Sequence, residues 1–120
     1  MKVGIDVLEY NKIKDPDKFL NRIGLENEIK YIKEFKTKQA QIQRIASLWC
    51  VKEAVFKCLN LGKDSKVSTK DVELCHESTG KPYVKLFNHA LKAFQKLQAK
   101  EIEISLSHSD SLAIAICICK

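Results

Sequence analysis

The sequence predicts an α+β fold, a mainly antiparallel sheet packed against a long central helix, and three observations lead to it. Five short stretches alternate in character every second residue, the period of a strand. They come as one strand near the N-terminus and two later pairs joined by turn-forming residues, the order expected of hairpins. Between them, residues 37–62 are apolar around most of a helical circumference, which places that helix in the middle of the domain. With 120 residues and 45% hydrophobic content, residues 1–120 are read as one domain with a core of its own.

The elements follow in order. Residues 3–8 form a strand with Val3, Ile5 and Val7 on one face and Gly4, Asp6 and Leu8 on the other, so Asp6 is a carboxylate in apolar company. Gly4 on the same face admits a ligand or another backbone. Asp15 caps a short helix with Pro16 in its first turn, ending at Gly24. With the residues before it, this helix presents Lys12, Lys14, Lys18 and Arg22, a basic surface diluted by Asp15 and Asp17. Residues 25–36 form a second helix with Ile29, Ile32 and Phe35 inward. Thr37 starts the long helix and Gly62 ends it.

A polar loop over 63–70 leads to a hairpin of residues 71–75 and 81–87, its turn closing in Gly80-Lys81-Pro82. Pro82 cannot donate to a ladder and belongs at a strand entrance. Asn88 caps a helix to about residue 100, buried through Leu91, Phe94 and Leu97. Residues 102–106 and 112–119 form the last hairpin, joined by Ser107, His108, Ser109, Asp110 and Ser111. The final strand sets Leu112, Ile114, Ile116 and Ile118 on one face and Ala113, Ala115, Cys117 and Cys119 on the other. The small face suits a closely packed helix, and the long one is the candidate.

Composition excludes several classes. The longest apolar run is far short of the ~20 residues of a membrane span, and the N-terminus lacks the apolar core of a signal peptide, so no membrane and a cytoplasmic location are expected. Five cysteines, odd in number and without a CxxC pair, read as reduced core residues. Cys117-x-Cys119 with Cys75-His76 does not have the spacing of structural zinc. The net charge of +6 favours an acidic partner. Arg22 and Arg44 are the only arginines, and no nucleic-acid-binding motif is found, so nucleic acid is not the expected one.

The long helix raises the central question. Ile42, Ile45, Ala46, Trp49 and Phe56 project onto one stripe, and Glu53 falls near its middle. A carboxylate buried there without a partner costs roughly several kcal/mol, so Glu53 must meet a lysine such as Lys57, another chain or a metal ion.

Four motifs in order, Gly4-Ile5-Asp6, Trp49-x-x-Lys52-Glu53-Ala54-x-x-Lys57, Gly80-Lys81-Pro82 and Ser105-Leu106-Ser107-His108, resemble those of the holo-acyl-carrier-protein synthases, short bacterial phosphopantetheinyl transferases. The resemblance implies transfer of the phosphopantetheine arm of coenzyme A to a serine of an acyl carrier protein, with Mg²⁺ assisting and adenosine 3′,5′-bisphosphate leaving. It implies Asp6 and Glu53 as metal ligands, Glu53 and Lys57 as catalytic residues, and Lys57, Gly80, Lys81, Pro82, Ser107 and His108 around coenzyme A. It also implies carrier docking on Lys12, Lys14, Lys18 and Arg22, a homotrimer with interfacial sites, and a place in fatty acid biosynthesis.

The residues agree with a magnesium site, because Mg²⁺ takes one or two carboxylates and completes its octahedron with water and substrate phosphate. The serine's proton is assigned to a metal-held water or to Glu53 through a water. The chain departs from the family at Leu48, where many short members carry a phosphate-binding arginine; Arg44, one turn earlier, is the candidate substitute. The rival reading is a lysine-rich nucleic-acid-binding or regulatory domain in which Asp6 and Glu53 merely pair with lysines.

Overall fold

The computed structural model describes residues 1–62 and 66–120. Its elements run β1 (Lys2–Glu9), a 3₁₀ turn (Tyr10–Lys12), α1 (Pro16–Ile23), α2 (Glu26–Lys33), α3 (Lys38–Cys58), a second 3₁₀ turn (Thr69–Asp71), β2 (Val72–His76), β3 (Pro82–Leu86), α4 (Asn88–Lys96), β4 (Ile102–His108) and β5 (Leu112–Cys119). The strands form a three-stranded sheet in the order β1-β5-β4 and a β2-β3 hairpin, and every described pairing is antiparallel. The fold class is the expected one. Part of the loop expected over 63–70 lies outside the described residues, and its end is the second 3₁₀ turn.

The 21-residue helix α3 packs on the small face of β5, as the residue sizes require. Ala113, Ala115, Cys117 and Cys119 are all buried against Ala46, Cys50, Ala54 and Cys58. Gly4 completes this fit: a Cβ there would lie 2.1 Å from the Ala54 carbonyl oxygen and 2.6 Å from the Cys58 nitrogen. The space beside Gly4 therefore belongs to another backbone. The opposite face of the same sheet is left open, with Val3, Ile5 and Val7 exposed beside Ile114, Ile116 and Ile118.

Asp15 caps α1 by accepting from the Lys18 amide, and Thr37 caps α3 by accepting from the Ala40 amide. Four helix boundaries differ from expectation. Helix α2 ends at Lys33 rather than at residue 36, which leaves Phe35 half-buried beyond it. Helix α3 ends at Cys58, before Gly62, because Asn60 adopts the left-handed conformation at φ 57°. The Leu61 amide then donates to the Phe56 carbonyl and the Asn60 amide to that of Lys57, which satisfies the last turn. Helix α4 ends at Lys96, with Gln98 left-handed beyond it, and its cap position is Phe87; the Asn88 amide group donates to Asp71 instead. The side chain α4 buries fully is Ala90, while Leu91 is exposed and Phe94 and Leu97 are half-buried.

The fully buried charge of α3 is Lys52. Its ammonium uses all three donors, to Glu28 Oε1 at 2.8 Å and to the carbonyls of Thr69 and Val72 at 2.7 Å each. Glu28, on α2, also accepts from the Leu25 and Leu74 amides, both at 2.7 Å. This network ties α2, α3 and the start of β2 together. The stripe read as the inner face of α3 is only partly so: Ile45 and Ala46 are buried, but Ile42, Trp49, Glu53 and Phe56 are half-buried.

Candidate active site

Asp6, Glu53 and Lys57 come together at the seam between β1 and the C-terminal half of α3. Strand alternation turns Asp6 toward the helix, and one helical turn separates Glu53 from Lys57. The Lys57 ammonium donates to Asp6 Oδ1 at 3.0 Å and to the Ile5 carbonyl at 2.9 Å. Lys57 therefore pairs with Asp6, and among the described residues Glu53 has no ion pair. The Lys57 side chain is 56% exposed, so its third N–H is open to a ligand.

The two carboxylates are electrostatically frustrated. Asp6 Oδ2 is buried and accepts no hydrogen bond among the described residues. Burial first, then the Asp6 charge, raises the Glu53 carboxyl above its ordinary range, with Lys57 pulling the other way. Cys50 beside them is pushed up to about 12 by burial and by Asp6, so it is a neutral thiol here. An oxygen-preferring divalent cation fits this donor set: it gives Asp6 Oδ2 a partner and offsets both the burial and the Asp6 repulsion that raise Glu53.

The remaining residues implied for the site lie elsewhere. Ser107 and His108 are exposed at the end of β4, where His108 pairs with Ala113 and Ser107 with Ile114. Gly80, at φ 90°, and Lys81 occupy the β2-β3 turn, with Pro82 opening β3. The Lys81 ammonium lies 4.0 Å from Glu103, near the other end of β4 from His108. The five residue steps from Glu103 to His108 span about 17 Å of strand. With β5 between β1 and β4, neither group joins the Asp6 cluster within one chain.

Leu48, where the arginine is missing, is buried with Leu20, Ile23, Ile32 and Ile45. The Arg44 guanidinium lies 4.6 Å from the Phe35 ring centre, and its Nε is buried without a partner among the described residues. It lines a cavity of about 30 Å³ together with Glu28, Tyr31 and His76, away from the Asp6 cluster.

A second surface surrounds α1. Lys12, Lys14, Lys18 and Arg22 rim a groove of about 640 Å³ floored by Leu8, Phe19 and Trp49. The acids that dilute this surface in the sequence are engaged, Asp15 as the cap of α1 and Asp17 with Lys33 of α2. The groove combines positive charge with apolar footing, which suits an acidic protein helix.

Known proteins resemble this chain in sequence and fold. The family described as the 4′-phosphopantetheinyl transferase superfamily matches residues 2–117. The holo-[acyl-carrier-protein] synthase of Caldicellulosiruptor bescii is 38% identical over 106 residues, covering 86% of this chain and 84% of that protein. One from a Thermoanaerobacter species is 35% identical over 107 residues, covering 86% and 75%. The crystal structure of a holo-(acyl-carrier-protein) synthase from Bacillus anthracis, in complex with CoA (3′,5′-ADP), superposes with a TM-score of 0.80 at 30% identity, over 98% of this chain and 94% of that one.

Proposed function

This chain belongs to the holo-acyl-carrier-protein synthases of the 4′-phosphopantetheinyl transferase superfamily, and from that membership we propose a full reading of its reaction. A single domain of residues 1–120 transfers the phosphopantetheine arm of coenzyme A to a serine of an apo acyl carrier protein, with Mg²⁺ required and adenosine 3′,5′-bisphosphate released. The observation that carries the reading is the buried Asp6 Oδ2, without a partner among the described residues, beside Glu53 and Lys57. A domain whose acids merely neutralised lysines would have left Glu53 paired.

Asp6 and Glu53 would hold Mg²⁺, which would supply positive charge to the coenzyme A phosphates. Asp6 and the Ile5 carbonyl hold the Lys57 ammonium in place, and its third N–H donates to a phosphate oxygen as negative charge grows on the leaving group. Glu53 takes the serine proton through a water. In a transfer assay with coenzyme A as donor, Lys57→Ala should raise the Michaelis constant for coenzyme A and slow transfer. A lost charge-assisted bond of roughly 1.5–3 kcal/mol corresponds to about 10- to 150-fold in catalytic efficiency. An unchanged dependence on coenzyme A places Lys57 outside the site.

Gly80, Lys81, Pro82, Ser107 and His108 complete the coenzyme A site from a neighbouring subunit of a homotrimer. Two features support this: they stand apart from Asp6 within one chain, and the outer face of β1 and β5 exposes Val3, Ile5 and Val7 beside three isoleucines. An apolar patch of that kind marks an interaction surface.

The α1 groove docks the acidic carrier through Lys12, Lys14, Lys18 and Arg22. Rim charges steer encounter, so they act on association and its salt dependence. Changing Lys14, Lys18 and Arg22 together to glutamate should lower catalytic efficiency for carrier at low salt by at least about tenfold, ~1.4 kcal/mol, with coenzyme A binding intact. Added salt should shrink the difference. A wild-type rate in the triple variant at low salt would move docking elsewhere.

A further inference from the structure

Three thiols meet in the core on the side of α3 away from solvent. Cys58 lies in the last turn of α3, and Cys117 and Cys119 lie two residues apart on the inner face of β5. All three residues are at most 1% exposed, and their sulfurs lie within 4.8 Å of one another. Chain separation hid this grouping: Cys58 is about 60 residues from its partners, and Gly4, which pairs with Cys117 in the β1-β5 ladder, lets the α3 backbone approach. Core packing needs small side chains here, which alanine would also supply, as it does at Ala113 and Ala115.

We propose that Cys58, Cys117 and Cys119 form a three-sulfur binding site for a soft monovalent cation of the Cu(I) class. Sulfur–metal distances of about 2.3 Å put three sulfurs about 4 Å apart around a trigonal ion, so each sulfur needs to move inward by only about half an ångström. Three soft donors exclude Mg²⁺ and Ca²⁺, which take oxygen. Zinc wants a fourth ligand, and no fourth histidine, cysteine or carboxylate joins the group among the described residues. The Lys2 carbonyl accepts from the Cys58 thiol at 3.4 Å. Cu(I) is satisfied by thiolates and by low coordination.

Binding is a proton-for-metal exchange: each sulfur that becomes a thiolate releases its proton to solvent, and no electron moves. The ion enters where the β1-β5 ladder ends, at the Lys2–Cys119 rung, because terminal rungs open most readily. Once in place it fastens the end of α3 to β5.

The test uses the full chain, anaerobic and reduced with a phosphine, titrated with Cu(I) held by bicinchoninate. The protein should withdraw one Cu(I) per chain, its melting temperature should rise, and excess Mg²⁺ should leave binding unchanged. Cys58→Ala and Cys117→Ala should each weaken binding by at least about 100-fold, whereas Cys75→Ala, outside the group, should keep the full equivalent. Failure to take copper from the chelator overturns the proposal, as does undiminished binding in both cluster variants. X-ray absorption on the wild-type complex decides without variants: a shell of three sulfurs supports the site, and a nitrogen, oxygen or two-sulfur shell refutes it.

Discussion

Lys52→Ala is expected to destabilise the fold by roughly 3–5 kcal/mol, because it leaves Glu28 charged and buried without its cation. The same change takes the Lys52 ammonium from the Val72 carbonyl and from that of Thr69, which keeps only the Val72 amide as a donor. For a chain of this size the melting temperature should fall by on the order of 15 °C, read by calorimetry or circular dichroism. Pairing it with Glu28→Leu should not restore stability, since the Leu25 and Leu74 amides would then lose their acceptor as well. A loss below about 1 kcal/mol would mean that water replaces the ammonium and that the site is less closed than its burial indicates.

Asp6→Ala and Glu53→Ala should each reduce transfer by at least about 10³-fold, equivalent to ~4 kcal/mol of transition-state stabilisation, while the chain stays folded. Asp6 loses only an ion pair with a half-exposed lysine, a contact worth roughly 0–1 kcal/mol. Glu53 should even relieve the fold. Its carboxyl is raised in the native state, so as pH climbs through the ordinary carboxylate range the unfolded chain ionises first and native stability falls. Glu53→Gln should match wild type at low pH and become relatively more stable as pH rises through that window without Mg²⁺. Near-normal transfer in either alanine variant would remove the two acids from the metal site.

Much of this architecture is legible locally. The alternation of residues 112–119 and the small face it creates foretell how α3 packs, and Gly4 marks the point of closest approach. Asp15, Thr37 and Pro82 act where their chemistry suggests. What escapes is the choice between neighbours on a helix apolar nearly all round: periodicity cannot tell whether Lys52 or Glu53 turns inward. The deciding partner, Glu28, belongs to another helix. The end of α3 escapes for a similar reason, since Asn60 reaches the left-handed region that glycine usually supplies.

The site is legible differently. The sequence marks Asp6 and Glu53 as charges in apolar settings with Lys57 as a candidate partner, but the pairing of Lys57 with Asp6 rather than Glu53 depends on how β1 meets α3. Neither spacing nor periodicity reports that the Gly80 turn and His108 stand away from these acids. Likewise the Cys58, Cys117 and Cys119 group exists only after folding.

The most direct test of the catalytic reading is the mass of an apo acyl carrier protein after incubation with this protein, coenzyme A and Mg²⁺. The carrier should gain one phosphopantetheine arm on a single serine, with adenosine 3′,5′-bisphosphate formed in equal amount, and chelation of Mg²⁺ should stop the reaction. A carrier of unchanged mass, or equal modification with the metal removed, would contradict it.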